Sequence, residues 1–182
     1  MSSAELTRLI DPDKTTQQAA VVEGTIPVTS LVRFSELLFE PTGDVQVRLS
    51  FDQDPERRRV VEGELSAPAV LQCQRCLKAL ATTLTSSFRV GLVSSDEQAK
   101  QLPGELEPFQ FGDNEVDVWQ LVEDELLLVV PPFPLHDEAD CEAAELVARY
   151  SDDGEPESAG EHQAADENPF NVLAELKKGK DS

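Results

Sequence analysis

Cys73-Gln74-Arg75-Cys76, His136 and Cys141 are the residues of this 182-residue chain whose types and spacing can do chemistry. Two thiolates three positions apart on a tight turn converge on one ion about 2.3 Å from each sulfur, so the CxxC is half of a zinc site. His136 and Cys141 can span the two remaining tetrahedral corners if the chain returns to that turn. The set Cys73, Cys76, His136 and Cys141 uses all three cysteines and one of the two histidines. Two other readings stand beside it: a two-thiol pair that is redox-active or holds metal weakly, and plain structural cysteines. A thioredoxin-type CxxC opens a helix in a βαβ pattern, whereas this one lies between two strand patterns. No disulfide framework fits, since three cysteines leave one over. The chain also lacks G-x-S-x-G, H-E-x-x-H and P-loop motifs, so nothing prepares it for hydrolase or nucleotide chemistry and no enzymatic activity is expected.

The CxxC needs a rigid tip, and the flanking sequence supplies one. Val45, Val47, Leu49 and Phe51 alternate with Gln46, Arg48 and Ser50, the period of a half-buried strand. Alternation continues from Val61 to Cys73, with Pro68 calling for an edge or a bulge, and resumes from Leu80 to Leu92. The last two runs pair as a hairpin whose tip holds Cys73 to Ala79. His136 must be brought back by the helix expected over Asp113 to Val130, where Val118, Val122, Leu126 and Val129 share a face and Asp117 caps the start. Pro131, Pro132 and Pro134 end it. Glu123 and Glu125 on this helix are expected on its solvated face. A short helix is expected over Ser95 to Leu102, and a one-sided helix over Val28 to Leu38 with Thr29 or Ser30 as cap. Asp11-Pro12-Asp13 reads as a turn.

The resulting expectation is an α+β fold: an antiparallel β-hairpin sheet of about three to five strands, packed by a long helix, with a disordered acidic C-terminal region. The chain divides into an N-terminal extension (1–20), an α+β core domain (21–136), an acidic linker (137–167) and a short amphipathic C-terminal segment (168–182). Phe170, Leu173 and Leu176 give that last segment its apolar stripe.

Charge bears on partners. With 36 acids against 15 bases, the net charge of −21 opposes coating of nucleic acid, which rests on cationic side chains displacing counterions. The acidity is uneven. Residues 137–167 hold twelve acids and one base, whereas residues 45–93 hold seven bases and five acids. Within that slightly basic sheet, Arg57, Arg58 and Arg59 are candidates for phosphate or partner contact, together with Arg75 and Lys78. No segment approaches the length of about 20 apolar residues that a membrane-spanning helix needs, and Met1 to Leu6 lacks the basic-then-apolar order of a secretory leader. A cytoplasmic location without membrane partners is expected.

Several stretches in order resemble one bacterial family: Leu71-Gln-Cys-Gln-Arg-Cys-Leu-Lys78, Ser94-Ser-Asp-Glu-Gln-Ala99, Leu121-Val-Glu-Asp-Glu-Leu126, Pro132-Phe-Pro-Leu-His-Asp137 with Cys141, Asn168-Pro-Phe-Asn-Val-Leu-Ala-Glu-Leu-Lys177, and Ile10-Asp-Pro-Asp13. The set is similar to the YceD family of large ribosomal RNA subunit accumulation proteins. That resemblance implies a non-enzymatic ribosome-biogenesis role in the synthesis, processing or stability of 23S rRNA. Implied partners are large-subunit pre-rRNA, a basic ribosomal protein or a processing enzyme. Gram-positive members carry more cysteines in the region matching His136 to Cys141, which implies an ancestral metal site of which this chain keeps His136 and Cys141. The alternative is a zinc-binding or thiol-redox module whose effect on rRNA is indirect.

Overall fold

Alternating apolar residues build a five-stranded sheet from Val21–Pro27, Asp44–Gln53, Arg59–Gln72, Ala79–Val93 and Glu107–Gln110, side by side in that order. The computed structural model describes residues 4–112 and 114–150. Its strands are β1 (Leu9–Ile10), β2 (Val21–Pro27), β3 (Asp44–Gln53), β4 (Arg59–Gln72), β5 (Ala79–Val93), β6 (Glu107–Gln110) and β7 (Val116–Asp117). Its helices are α1 (Pro12–Gln17), α2 (Val32–Ser35), α3 (Asp96–Ala99), α4 (Val118–Val129) and α5 (Ala144–Tyr150), with 3-10 turns at Val28–Ser30 and Glu138–Asp140. The chain divides into a unit spanning Met1–Ala144 and a second spanning Glu145–Ser182. The second is described only through α5. The amphipathic segment at 168–182 and the acidic residues from Ser151 onward lie outside the described residues.

The α+β reading and the hairpin are borne out. β4 and β5 pair antiparallel from Val60↔Gly91 to Gln72↔Ala79, leaving Cys73 to Lys78 as the tip. The sheet is mixed rather than purely antiparallel, because β6 runs parallel to β5 from Val90↔Glu107 to Val93↔Gln110. The connection through α3 allows this, since it carries the chain back before β6 begins. Pro68 sits in β4 where β3 no longer reaches: β3 pairs with β4 only as far as Gln46↔Ser66, so its missing N–H interrupts no ladder.

Inward residues of β3 and β4 (Val45, Leu49, Phe51, Val61, Leu71) pack against Phe34, Leu121 and Leu126 to form the core. Burial of each such side chain contributes about 1.5–3 kcal/mol. The stretch from Val28 is corrected: two short turns replace the expected helix, and α2 has no side-chain cap at Leu31. Of the spaced apolar residues, Val28, Leu31 and Leu38 are buried but Val32 and Leu37 are exposed, so the spacing reported packing only in part and not helix length. Asp11-Pro12 opens α1 instead of a simple turn; the Asp11 carboxylate accepts from the Asp13 and Lys14 N–H groups, and Pro12 stands where no N–H is needed.

α4 starts at Val118 rather than at the expected Asp113, because Val116 and Asp117 pair with β1; Asp117 caps it as expected, accepting from the Trp119 and Gln120 N–H groups at 3.1 Å each. Glu123 and Glu125 are buried rather than solvated. Glu123 bonds the Arg33 guanidinium at 2.9 Å and the Phe34 N–H at 3.2 Å, which makes its burial tolerable. Ala4 to Leu6 lie along β2, with the Leu6 N–H donating to the Thr25 carbonyl at 2.9 Å and the Thr25 N–H to the Ala4 carbonyl at 3.0 Å. Gly24 permits this approach, since a Cβ there would fall 2.8 Å from the Ala4 oxygen.

Candidate metal centre

The hairpin tip is a tight knuckle. The Cys73 N–H donates to the Lys78 carbonyl at 2.9 Å, and the Leu77 N–H donates to the Cys73 carbonyl at 2.8 Å. Leu77 takes φ of 61° to close the turn. α4 then delivers the second half of the set: after Val129 the chain turns back, and the Pro134 carbonyl accepts from the Gln74 N–H at 2.8 Å. The 3-10 turn Glu138–Asp140 places Cys141, which is 6% exposed.

As a result the ligand atoms of Cys73, Cys76, His136 and Cys141 all lie within 4.8 Å of one another. A tetrahedral zinc at about 2.3 Å from each sulfur requires sulfurs about 3.8 Å apart, so small side-chain adjustments suffice. His136 is oriented for ligation. Its Nε2 lies 3.0 Å from the Ala79 carbonyl oxygen; a carbonyl only accepts, so Nε2 carries the proton. Nδ1 therefore presents its lone pair, 3.3 Å from the Cys76 sulfur. A ligating histidine held through its other ring nitrogen is the usual arrangement in metal sites.

The thiols are polarised in opposite directions. Burial pushes the Cys73 thiol up, but backbone N–H groups of Cys76, His136 and Arg75, with the Cys76 thiol, outweigh it and bring it down to about 5. The His136 N–H reaches the Cys73 sulfur at 3.5 Å. Cys76 is shifted upward: the Lys78 N–H favours its thiolate, and burial together with the neighbouring Cys73 and Cys141 thiols prevails against it. One sulfur is thus prepared as a thiolate while its neighbours crowd it, an electrostatic arrangement that a divalent cation relieves. The residues fit a soft four-ligand ion. With every corner taken by protein, the ion would cross-link the chain and offer no open position to a substrate.

The basic candidates do not gather. Arg57, Arg58 and Arg59 lie at the β3–β4 turn, at the far end of the 14-residue β4 from the cysteines, roughly 45 Å away at about 3.3 Å per residue. Arg58 is bound to Asp54 and, at 2.8 Å, to Glu56; Arg59 reaches Asp13 at 3.3 Å and covers the Phe111 ring. At the tip Lys78 is paired with Glu142, and Arg75 is half-buried. Backbone groups that serve the centre, the Ala79 and Pro134 carbonyls and the His136 N–H, were beyond reach of a reading based on side-chain types.

Fold and site together define an α+β protein whose longest hairpin carries a Cys3His cluster at its tip. The chain belongs to the family described as "Large ribosomal RNA subunit accumulation protein YceD", whose pattern matches residues 61–177. A relative from Haemophilus influenzae, named Large ribosomal RNA subunit accumulation protein YceD, is 33% identical over 178 residues, covering 97% of this chain and 99% of its own length. No solved structure matches. Among the described residues no helix is long and apolar enough to cross a membrane.

Proposed function

We propose that this protein is a non-enzymatic accessory factor in the accumulation of large-subunit rRNA, acting through a basic protein component of the pathway, with a structural zinc ion at Cys73, Cys76, His136 and Cys141. Membership of the family over nearly the whole chain carries the rRNA part of this reading. The partner is argued from charge: a chain of net −21 attracts cationic surfaces and repels bare phosphate. The engagement of Arg58, Arg59 and Lys78 by acids of the same chain favours a basic protein over naked pre-rRNA. Arg57 and Arg75 remain the candidates for an auxiliary phosphate contact.

The test has three arms. Capture by the full chain at low salt should recover a basic large-subunit ribosomal protein or processing factor and lose it as salt rises; recovery of naked rRNA alone overturns the partner. Depletion in cells should lower 23S rRNA relative to 16S, and an unchanged ratio removes the rRNA role. For the ion, protein purified without chelator should carry one zinc per chain, lost in Cys73→Ser. A second reading, a thiol-redox module, draws on the lowered Cys73 thiol. It predicts metal-free protein and a Cys73–Cys76 disulfide under mild peroxide.

A further inference from the structure

We infer that the free edge of β5 between Ala79 and Ser87 accepts an extended, basic polypeptide segment as a sixth strand. The inference rests on the reading that the protein holds a basic protein partner and says where that partner binds.

Ladder parity identifies the free groups. The Cys73 N–H bonds the Lys78 carbonyl, so even-numbered residues of β5 face β4 and odd-numbered residues face away. Two observations agree: His136 reaches the Ala79 carbonyl, and the Phe111 N–H reaches the Val93 carbonyl at 3.0 Å. β6 covers β5 only from Val90 to Val93. Between these ends Ala81, Thr83, Thr85 and Ser87 are exposed and direct N–H and C=O groups outward, and among the described residues no backbone group answers them.

Such an edge is normally blunted by charge, proline or a bulge. Ala79-Leu-Ala-Thr-Thr-Leu-Thr-Ser-Ser87 contains neither charge nor proline, and its pairing with β4 is unbroken. A flank runs beside it. α4 passes Glu125, which feels the charge of Glu107 on β6, and the chain after it reaches Ala79 through His136. α4 packs against β5, and the chain between these two points carries Leu128 at 73% and Phe133 at 77% exposure. A bare strand edge beside apolar side chains is the form used for strand addition.

Charge chooses the occupant. Glu107, Asp124 and Glu125 gather at the Val90 end, and Asp137, Glu138 and Asp140 follow His136 at the other. Two bases bordering the edge, Lys78 and Arg89, are held by Glu142 and Glu62. A second copy brings another −21 and is repelled; a lysine- or arginine-bearing strand is drawn in.

The experiment uses the full chain with its metal and a synthetic peptide of about ten residues, alternating lysine and valine, long enough to span the edge. A peptide with glutamate for lysine is the control. Expected is roughly tenfold slower amide exchange at Ala81, Thr83, Thr85 and Ser87 with the lysine peptide, none with the control, and roughly tenfold weaker binding by Thr83→Pro, which removes an outward N–H. Thr83→Lys, which keeps the backbone, should also weaken binding if the proline variant fails to fold. Equal affinity for wild type and both variants, with no β5 amide slowed, overturns the inference as simple adhesion to an acidic surface. So does protection of these amides before peptide is added: concentration dependence then marks a second copy, and its absence marks the chain's own tail. The two readings fail separately. A wild-type chain that captures no basic large-subunit protein defeats the partner reading, whereas capture unchanged in Thr83→Pro and Thr83→Lys defeats only the edge.

Discussion

Glu125 and Gly63 show how single residues are constrained by what surrounds them. Burial raises the Glu125 carboxyl, and the charges of Glu107 and Asp124 raise it further. A carboxyl whose folded pKa exceeds its unfolded value contributes stability below the unfolded pKa, and that contribution is lost as pH rises through the folded pKa. At neutral pH the ionised Glu125 therefore opposes folding. Glu125→Gln should raise the melting temperature at pH 7, and the advantage should close below about pH 4, where the wild-type carboxyl is protonated; an equal gain at both pH values would show that charge is not the cause. Gly63 lies opposite Phe88 in the β4–β5 ladder, and a Cβ there would stand 2.1 Å from the ring. Gly63→Ala should cost about 1–3 kcal/mol in denaturant titrations through overpacking. Adding Phe88→Leu should recover part of the loss, and strictly additive losses would remove the ring as its cause.

At the scale of elements, the hairpin knuckle combines a strained residue with a ligand set. Leu77 is 61% exposed and holds φ of 61°, a region that costs a side-chain-bearing residue about 1 kcal/mol or more and glycine little. Leu77→Gly should stabilise the protein by about 1 kcal/mol and leave zinc content unchanged; destabilisation would mean that the leucine side chain packs on something the knuckle needs. Sequence periodicity made β3, β4, β5 and the cap of α4 legible because each has one wet and one dry face. The short pieces escaped it. β1, β7 and α2 hold two to four residues each, about a single period of a strand or helix and too short for a repeat to show, and β6 is fixed by a parallel partner that lies before it in the chain. Glu123 misled for a different reason: its burial depends on Arg33, 90 positions away. The four candidate ligands were legible as types and spacing, whereas the proton on His136 Nε2 follows from the Ala79 carbonyl, which only the fold brings to it.

For the whole molecule, an ion in the cluster would act as a clasp between the hairpin tip and the segment after α4. Cys73 and Cys141 are buried, yet neither belongs to the main apolar cluster of the sheet and α4. The tip and the segment after α4 meet through the Gln74 to Pro134 and His136 to Ala79 bonds and the ion pair of Lys78 with Glu142. A bound ion would lock this junction, and ligand binding at 100 times its dissociation constant stabilises the folded state by about 2.7 kcal/mol. Chelation should lower the melting temperature and speed amide exchange over residues 131–144 and the tip, while the β-sheet signal in far-UV circular dichroism stays. Zinc binds thiolates, so Cys76, with its raised pKa, must release a proton, and the zinc-dependent part of stability should shrink as pH falls. Identical melting with and without zinc at pH 7.5, together with unchanged exchange at the junction, would dismiss the clasp and leave the cysteines as packing residues.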